Sequence, residues 1–327
     1  MKKVFTILFC IIALSILSIV QSKVIYKQDN LFSIKVNGKY GYIDRTGKVI
    51  IVPQYELGHI FTEGLAAVKV GGKFGYIDTT NRLIIEPQFD YAYPFSDGVA
   101  RIKVGEKWGY IDKTGHVIIQ PQYDSSWPFN DGIGKVKVDN KLIFINLSGN
   151  TVTNINFDKA ANFSEGLARI EINSKWGYID TNGSLVIPAK YDIAHDFSEG
   201  IAAVGIGPKR DYIDKTGKIV IPTNFDFTDF FSEGLARVAK HKKQGYIDAS
   251  GKIIIKPQFH SVSKFTEGLA PIEINGKWGY IDRTGKIVIK PKFDIVYDFS
   301  GGISEVFING KWGYIDKTGK YIWEPTK

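Results

Sequence analysis

Hydrophobic and polar positions alternate in short stretches along almost the whole chain. Gly98-Val99-Ala100-Arg101-Ile102-Lys103-Val104 sets small or aliphatic residues against polar ones, the period-2 pattern of a half-buried β-strand. Gly105-Glu106 then predicts a tight turn, and Asn37-Gly38, Asn275-Gly276 and Asn309-Gly310 stand at the same place in other stretches. Asn-Gly between alternating strands marks a two-residue hairpin, whose central residues need positive φ. Lys107 to Asp112 predicts a second strand with Trp108 and Tyr110 on one face, Lys113-Thr114-Gly115 the next turn, and His116 to Ile119 a third strand. Pro121 is expected to stop that strand, because proline has no amide for a ladder. Tyr123 to Asn130 then cross to the next unit, so each unit reads as a three-stranded antiparallel meander plus one connecting loop.

The unit recurs every 34 residues without insertion. Gly-Tyr-Ile-Asp or a close variant ends at Asp44, Asp78, Asp112, Asn146, Asp180, Asp214, Asp248, Asp282 and Asp316, which makes nine copies. A second motif, mostly Phe-Ser/Thr-Glu/Asp-Gly, keeps the same step from Phe61 to Phe299. Tetratricopeptide helices share this period, but each unit has Gly at several fixed places and Pro after an Ile/Val run. That leaves stretches too short for helices. Lys107-Trp108-Gly109, Lys175-Trp176-Gly177, Lys277-Trp278-Gly279 and Lys311-Trp312-Gly313 resemble the WG-repeat (KWG-repeat) family of bacterial proteins. The resemblance runs from about residue 27 to the C-terminus; Leu142, Arg210 and Gln244 depart from it at the Trp position. It implies an all-β repeat array, often exported, and no catalytic residues.

The expected architecture is a curved open solenoid or superhelix. The alternative is a closed propeller-like ring in which Leu31 to Val36 completes the last unit, Lys311 to Trp323. Nine units exceed the usual four to eight blades, and three strands are one short of a normal blade.

Outside the array, Lys2 and Lys3 precede a mostly apolar run from Val4 to Val20, the pattern of a secretory signal over residues 1–22 with cleavage after Ser22. Left uncleaved, the run would be a membrane anchor. Export is therefore expected, to the periplasm, the cell surface or the medium. Cys10, the one cysteine, falls in this segment, so the mature array 23–327 has none and no disulfide scaffold. Losing Lys2 and Lys3 and no acid lowers the net charge from +8 to +6. The remaining basic residues are scattered over many turns, which predicts solvated faces and no nucleic-acid stripe.

Candidate chemistry divides into residues that recur and residues that vary. The Asp of Asp-x-Thr-Gly is expected to accept turn amides. Its Asp-Lys-Thr-Gly form also resembles the phosphorylated motif of P-type pumps, but no pump domains accompany it. Glu63, Asp97, Asp131, Glu165, Glu199, Glu233 and Glu267 of the second motif are expected to be turn acids, with Gly301 in the eighth copy. Trp108, Trp176, Trp278 and Trp312 are expected to pack between units. The five histidines show no metal-ligand spacing, and no cofactor or metal is expected.

Two residues before each motif Phe, by contrast, the chain reads His59, Tyr93, Trp127, Ala161, His195, Asp229, Ser263 and Tyr297. Tyr93, Trp127, His195 and Tyr297 are the candidate binding residues of this connecting-loop row. The function expected is a non-catalytic scaffold docking a protein or polysaccharide of the cell envelope or exterior. The alternatives are a carbohydrate-active enzyme on a ring, with Asp229 and His195 as its nearest candidates, and a purely structural envelope element.

Overall fold

The computed structural model describes residues 29–326; the segment read as a signal, 1–22, lies outside them. Nine small antiparallel sheets follow one another, one per repeat. In the third, Tyr91–Ala92, Val99–Val104, Lys107–Asp112 and Val117–Tyr123 pair in chain order. The predicted hairpins are present: Asn37 and Gly38 have φ of 49° and 79°, and Gly115 of the next turn has 88°.

Two features of the unit differ from expectation. The connection is not all loop, because Tyr91 and Ala92 pair with Lys103 and Ile102 and add a short fourth strand. Two residues carry no readable period, which is why the unit reads as three-stranded. The last strand also continues through Pro121 to Tyr123. It is an edge strand, so the missing amide of proline costs no ladder bond, and proline there discourages edge-to-edge pairing.

Gly109 makes this course possible. Trp108 pairs with Tyr123 and Tyr110 with Ile119, so the outer strand bulges between them. A Cβ on Gly109 would lie 2.5 Å from Ile119 O and 2.7 Å from Pro121 N. The glycine of Trp-Gly is thus where the bulged strand crosses closest. The fourth and sixth units show the converse, with Ile143 and Asp211 at that position. In the fourth, the Ile145–Thr151 bridge is all that forms on the outer side; in the sixth, the outer strand is cut to Ile219–Pro222.

Neighbouring sheets are joined by a repeated contact set. Tyr76 and Tyr110 donate to the carbonyls of Tyr93 and Trp127, each at 2.8 Å. Their rings meet the next motif Phe at 5.0 Å (Phe95) and 4.9 Å (Phe129). The turn glycine of the following sheet packs on the outer strand, as Gly115 does on Ile85.

After the ninth sheet, contacts of the same kind reach the first with different partners. Tyr314 donates to Ser33 O at 2.8 Å, its ring lies 5.9 Å from Phe32, and Gly47 rests against the backbone of Ile322. Phe32, Ile34, Ile43, Ile303 and Tyr314 form one buried cluster across this seam. The array is therefore closed, a nine-bladed β-propeller, and the open solenoid expected from the sequence is incorrect. The arguments against a ring fail: seven of the nine described sheets have a fourth strand, and the ninth tyrosine still reaches across to the first sheet. Closure does not use strand exchange either, since Leu31–Val36 pairs with Lys39–Asp44 of its own blade.

The seam has its own residues. Phe32 stands where other blades have Ala66, Ala100 or Ala168, while Lys27 occupies the motif-Phe position in the sequence. Phe32 supplies the ring that Tyr314 would otherwise lack. A Cβ on Gly301 would sit 2.9 Å from that ring, which accounts for glycine where earlier copies carry an acid.

The Asp of Asp-x-Thr-Gly accepts the turn amides, as expected. Asp112 Oδ1 accepts Thr114 Oγ1 at 2.6 Å, Thr114 N at 2.9 Å and His116 N at 3.0 Å. Hydrogen bonds from Thr or Ser hydroxyls hold Asp44, Asp112, Asp214, Asp248 and Asp282 below the usual carboxylate range. Asp90, Asp124, Asp192 and Asp294 are lowered by the lysines of Lys-Trp/Phe-Gly. A carboxyl whose folded pKa lies below its unfolded value stabilises the fold above that unfolded value, roughly pH 4. The stabilisation disappears as pH falls through the lower, folded values. Asp97 and Glu305 are raised and act with the opposite sign, but they are outnumbered. The melting temperature is therefore expected to fall between about pH 4 and pH 2, as followed by circular dichroism. A midpoint that rises over that range contradicts the assignment.

Candidate functional site

Each sheet has two edges. The long outer strands expose apolar residues such as Ile84 at 40% and Val186 at 40%, so they form the rim and the two-residue strands face the axis. The variable row follows directly on those inner strands. Tyr93 N donates to Arg101 O at 3.1 Å, Trp127 N to Lys135 O at 2.9 Å, His195 N to Ala203 O at 2.9 Å and Tyr297 N to Glu305 O at 3.0 Å. Their carbonyls accept the tyrosine hydroxyls of the preceding blades, at 2.7 Å for His195 and 2.8 Å for Tyr297. The row is thus a fixed main chain on the inner edge of the ring, with only its side chains free to differ. Tyr93, Trp127, His195 and Tyr297 lie just past the short strands, on the connection where the sequence places them.

The second strand contributes a set of partners that the sequence reading missed. Eight residues after the row come Arg101, Lys135, Arg169 and Arg237, with Glu305 in the last blade. Each cation reaches the inner strand of the following blade: Arg101 Nη1 to Ser126 O at 2.5 Å, Lys135 Nζ to Ala160 O at 2.8 Å, Arg169 Nη1 to Ala194 O at 2.6 Å and Arg237 Nη1 to Val262 O at 3.0 Å. Each also lies over an aromatic ring: Arg101 over Tyr93 at 3.5 Å, Lys135 over Trp127 at 4.7 Å, Arg169 over Trp176 at 5.0 Å and Arg237 over Phe227 at 4.9 Å. The signal was available as cations at 34-residue steps, on inward positions of a half-buried strand.

Burial governs the electrostatics here. Lys135 is only 5% exposed, and burial pulls its ammonium down to about 8. Burial, and then the Arg101 charge, lowers His59 to about 4. Burial likewise lowers His195, with Asp229 acting in opposition. Burial alone pushes Glu305 up to about 7.

The four candidate residues do not converge on one pocket. Tyr93 belongs to an aromatic cluster with His59 at 5.7 Å, Tyr91 at 4.8 Å and Trp108 at 5.7 Å. Trp127 lies under Lys135, and Tyr297, 53% exposed, stacks on Trp312 at 5.8 Å. His195 Nδ1 lies 3.5 Å from Asp229 Oδ1, so these two neighbours in the ring do meet. Asp229 is already held by Arg237, whose Nη2 donates at 2.7 Å and Nε at 3.1 Å.

Trp108, Trp176, Trp278 and Trp312 are all half-buried. Trp108, Trp176 and Trp278 pack against clusters shared by adjacent blades.

The acids of the second motif have positive φ, such as 53° at Asp97, and reach the next blade rather than their own turn. Asp97 accepts Gly132 N at 2.9 Å, Glu199 accepts Gly234 N at 2.9 Å and Glu267 accepts Gly302 N at 2.9 Å. Among the described residues, no three His, Cys, Asp or Glu side chains are grouped to hold a metal ion.

The model of a family described as WG-containing repeat matches residues 40–74, 74–108, 108–141, 144–176, 176–207, 212–243, 245–278 and 278–312. No curated protein matches the chain by sequence. In three dimensions it is similar to a crystal structure of a eukaryotic initiation factor, with TM-score 0.65 and 10% identity over 91% of this chain and 96% of that one. That likeness concerns the fold alone. The dihydro-heme d1 dehydrogenase NirN overlaps more loosely, with TM-score 0.46 and 14% identity over 88% of this chain and 78% of that one.

Proposed function

Because the chain belongs to the WG-containing-repeat family, we propose that it is an exported, non-catalytic binding ring that docks a protein or polysaccharide of the cell envelope or exterior. The observation that carries this reading is the contrast within the inner row. Its main chain is held by the same two hydrogen bonds at His59, Tyr93, Trp127, His195, Ser263 and Tyr297, yet its side chains run from Ser263 to Trp127. A scaffold residue needed for packing would recur, as the tyrosines donating to this row do. Aromatic and imidazole groups beside cations suit stacking against sugar rings or peptide side chains. The acids of the second motif engage glycine amides between blades, which favours a structural role over a catalytic pair. Export rests on Lys2, Lys3 and the apolar run that follows them.

The test is capture from envelope and culture-medium fractions by residues 23–327, beside a variant with Tyr93, Trp127, His195 and Tyr297 changed to Ala. The parent is expected to retain a partner that the variant loses, with an unchanged β spectrum in circular dichroism. Equal capture by both proteins contradicts the row as the site. Glycosidase treatment of the fractions separates a polysaccharide from a protein partner.

A further inference from the structure

Of the cations that the second strands bring to the inner edge, Arg169 and Arg237 have acids and their two neighbours do not. Arg169 Nε donates to Asp196 Oδ1 at 2.8 Å, and Arg237 Nη2 to Asp229 Oδ2 at 2.7 Å. Arg101 and Lys135, in the adjacent third and fourth blades, form no ion pair among the described residues and donate only to carbonyls.

The repeat register shows why Lys135 lacks an acid. Lys135 donates to Ala160 O as Arg169 donates to Ala194 O one blade further on. Two residues past Ala194 stands Asp196, and two residues past Ala160 stands Asn162. Asn162 and Lys135 are each only 5% exposed. Neither Oδ1 nor Nδ2 of Asn162 has a hydrogen-bond partner among the described residues, and Arg101 Nε is buried without one as well. A buried amide open at both ends is costly and points to a bound group that completes it. Burial lowers Lys135, and the charge of Asp196, already engaged by Arg169, offsets this only in part.

The partners define the chemistry of that group. An ammonium without an acid takes an anion. The amide has a donor end and an acceptor end, so an anion that also carries a hydroxyl satisfies both, and a bare inorganic anion only one. The half-buried Trp127 ring lies over the ammonium at 4.7 Å. A ligand enters by turning this ring aside, and the ring then offers it a stacking face. A sugar acid combines a carboxylate, neighbouring hydroxyls and an apolar face.

We propose that the inner edge between the fourth and fifth blades binds the carboxylate of a uronic-acid residue, held by Lys135 and Asn162 with Trp127 stacked on the sugar. This rests on the inner row being a binding edge, and it names the ligand class as an acidic polysaccharide.

Trigalacturonate is the probe, its methyl ester the uncharged counterpart, and calorimetry of residues 23–327 the readout. The trisaccharide is expected to bind saturably, and the ester at least about ten-fold more weakly. Asn162→Asp supplies Lys135 with the acid that Asp196 gives Arg169, and is expected to abolish binding with an unchanged β spectrum. Lys135→Arg keeps the charge and is expected to keep the binding. No saturable binding by the parent overturns the proposal. So does equal affinity for the ester, parent-like affinity in Asn162→Asp, or tetraglutamate bound in place of the trisaccharide. A partner captured from envelope fractions by the parent and by Asn162→Asp, but lost by the four-residue row variant, leaves the inner row standing and overturns this site alone.

Discussion

Gly279→Ala is expected to cost about 3 kcal/mol or more and to release the outer strand of the eighth blade. A Cβ there would lie 2.3 Å from Ile289 O, 2.6 Å from Pro291 N and 2.8 Å from the Lys290 carbonyl carbon. All three are backbone atoms of one strand, so no side chain can swing aside and the strand itself must move. Ile289 and Phe293 would leave a cluster that also holds Tyr280, Phe299 and Ile315, and buried apolar surface would be lost with them. Gly276→Ala is the control: its φ is +76° but nothing lies within 4 Å, so only backbone strain of about 1 kcal/mol applies. Urea unfolding and hydrogen exchange of the Ile287–Phe293 amides measure both. Equal costs for the two variants would show that the Trp-Gly glycine is not there to admit the bulged strand.

The seam makes a second, less intuitive prediction. Gly301→Glu restores the acid found at Glu233 and Glu267, yet it is expected to destabilise the ring by about 2 kcal/mol. Backbone conformation is not the obstacle, since Glu233 and Glu267 have φ of 54° and 51° and Gly301 has 60°. The obstacle is Phe32, 2.9 Å from the added Cβ. Phe32→Ala alone is expected to cost about 3 kcal/mol or more by emptying a buried site beside Tyr314. The double variant regains the Ala-plus-acid pair of ordinary blades and should cost less than the sum, by about 1 kcal/mol. Strict additivity would mean that the two positions do not share the seam.

The unit was largely legible in the sequence, and the assembly was not. Alternation from Val99 to Val104, the Asn-Gly turns and the Asp-x-Thr-Gly turns are local devices, so their residues announce them. The short inner strand, as at Tyr91–Ala92, is held by its neighbour in the sheet rather than by any pattern of its own. Pro121 suggested a strand end because its edge position is a property of the sheet. Closure depends on Phe32 meeting Gly301 and Tyr314 across the length of the chain. Gly301 stood out as a departure, but its partner lay outside both repeated motifs. The candidate residues were found by their variation. Their place on the inner edge, beside Arg101, Lys135 and Glu305, follows from strand order and was beyond reach.

Closure itself is the claim on which the seam and the inner row both depend. Spin labels at Arg45 and Lys320 in residues 23–327 place one probe on each of the first and last blades, both on exposed turn positions. Arg82 and Lys113 are the equivalent pair on the adjacent second and third blades, exposed likewise, and serve as the internal standard. Double electron–electron resonance is predicted to give the same narrow distance distribution for both pairs. A longer or broad distribution for Arg45 and Lys320 alone would mean that the nine blades do not close into a ring.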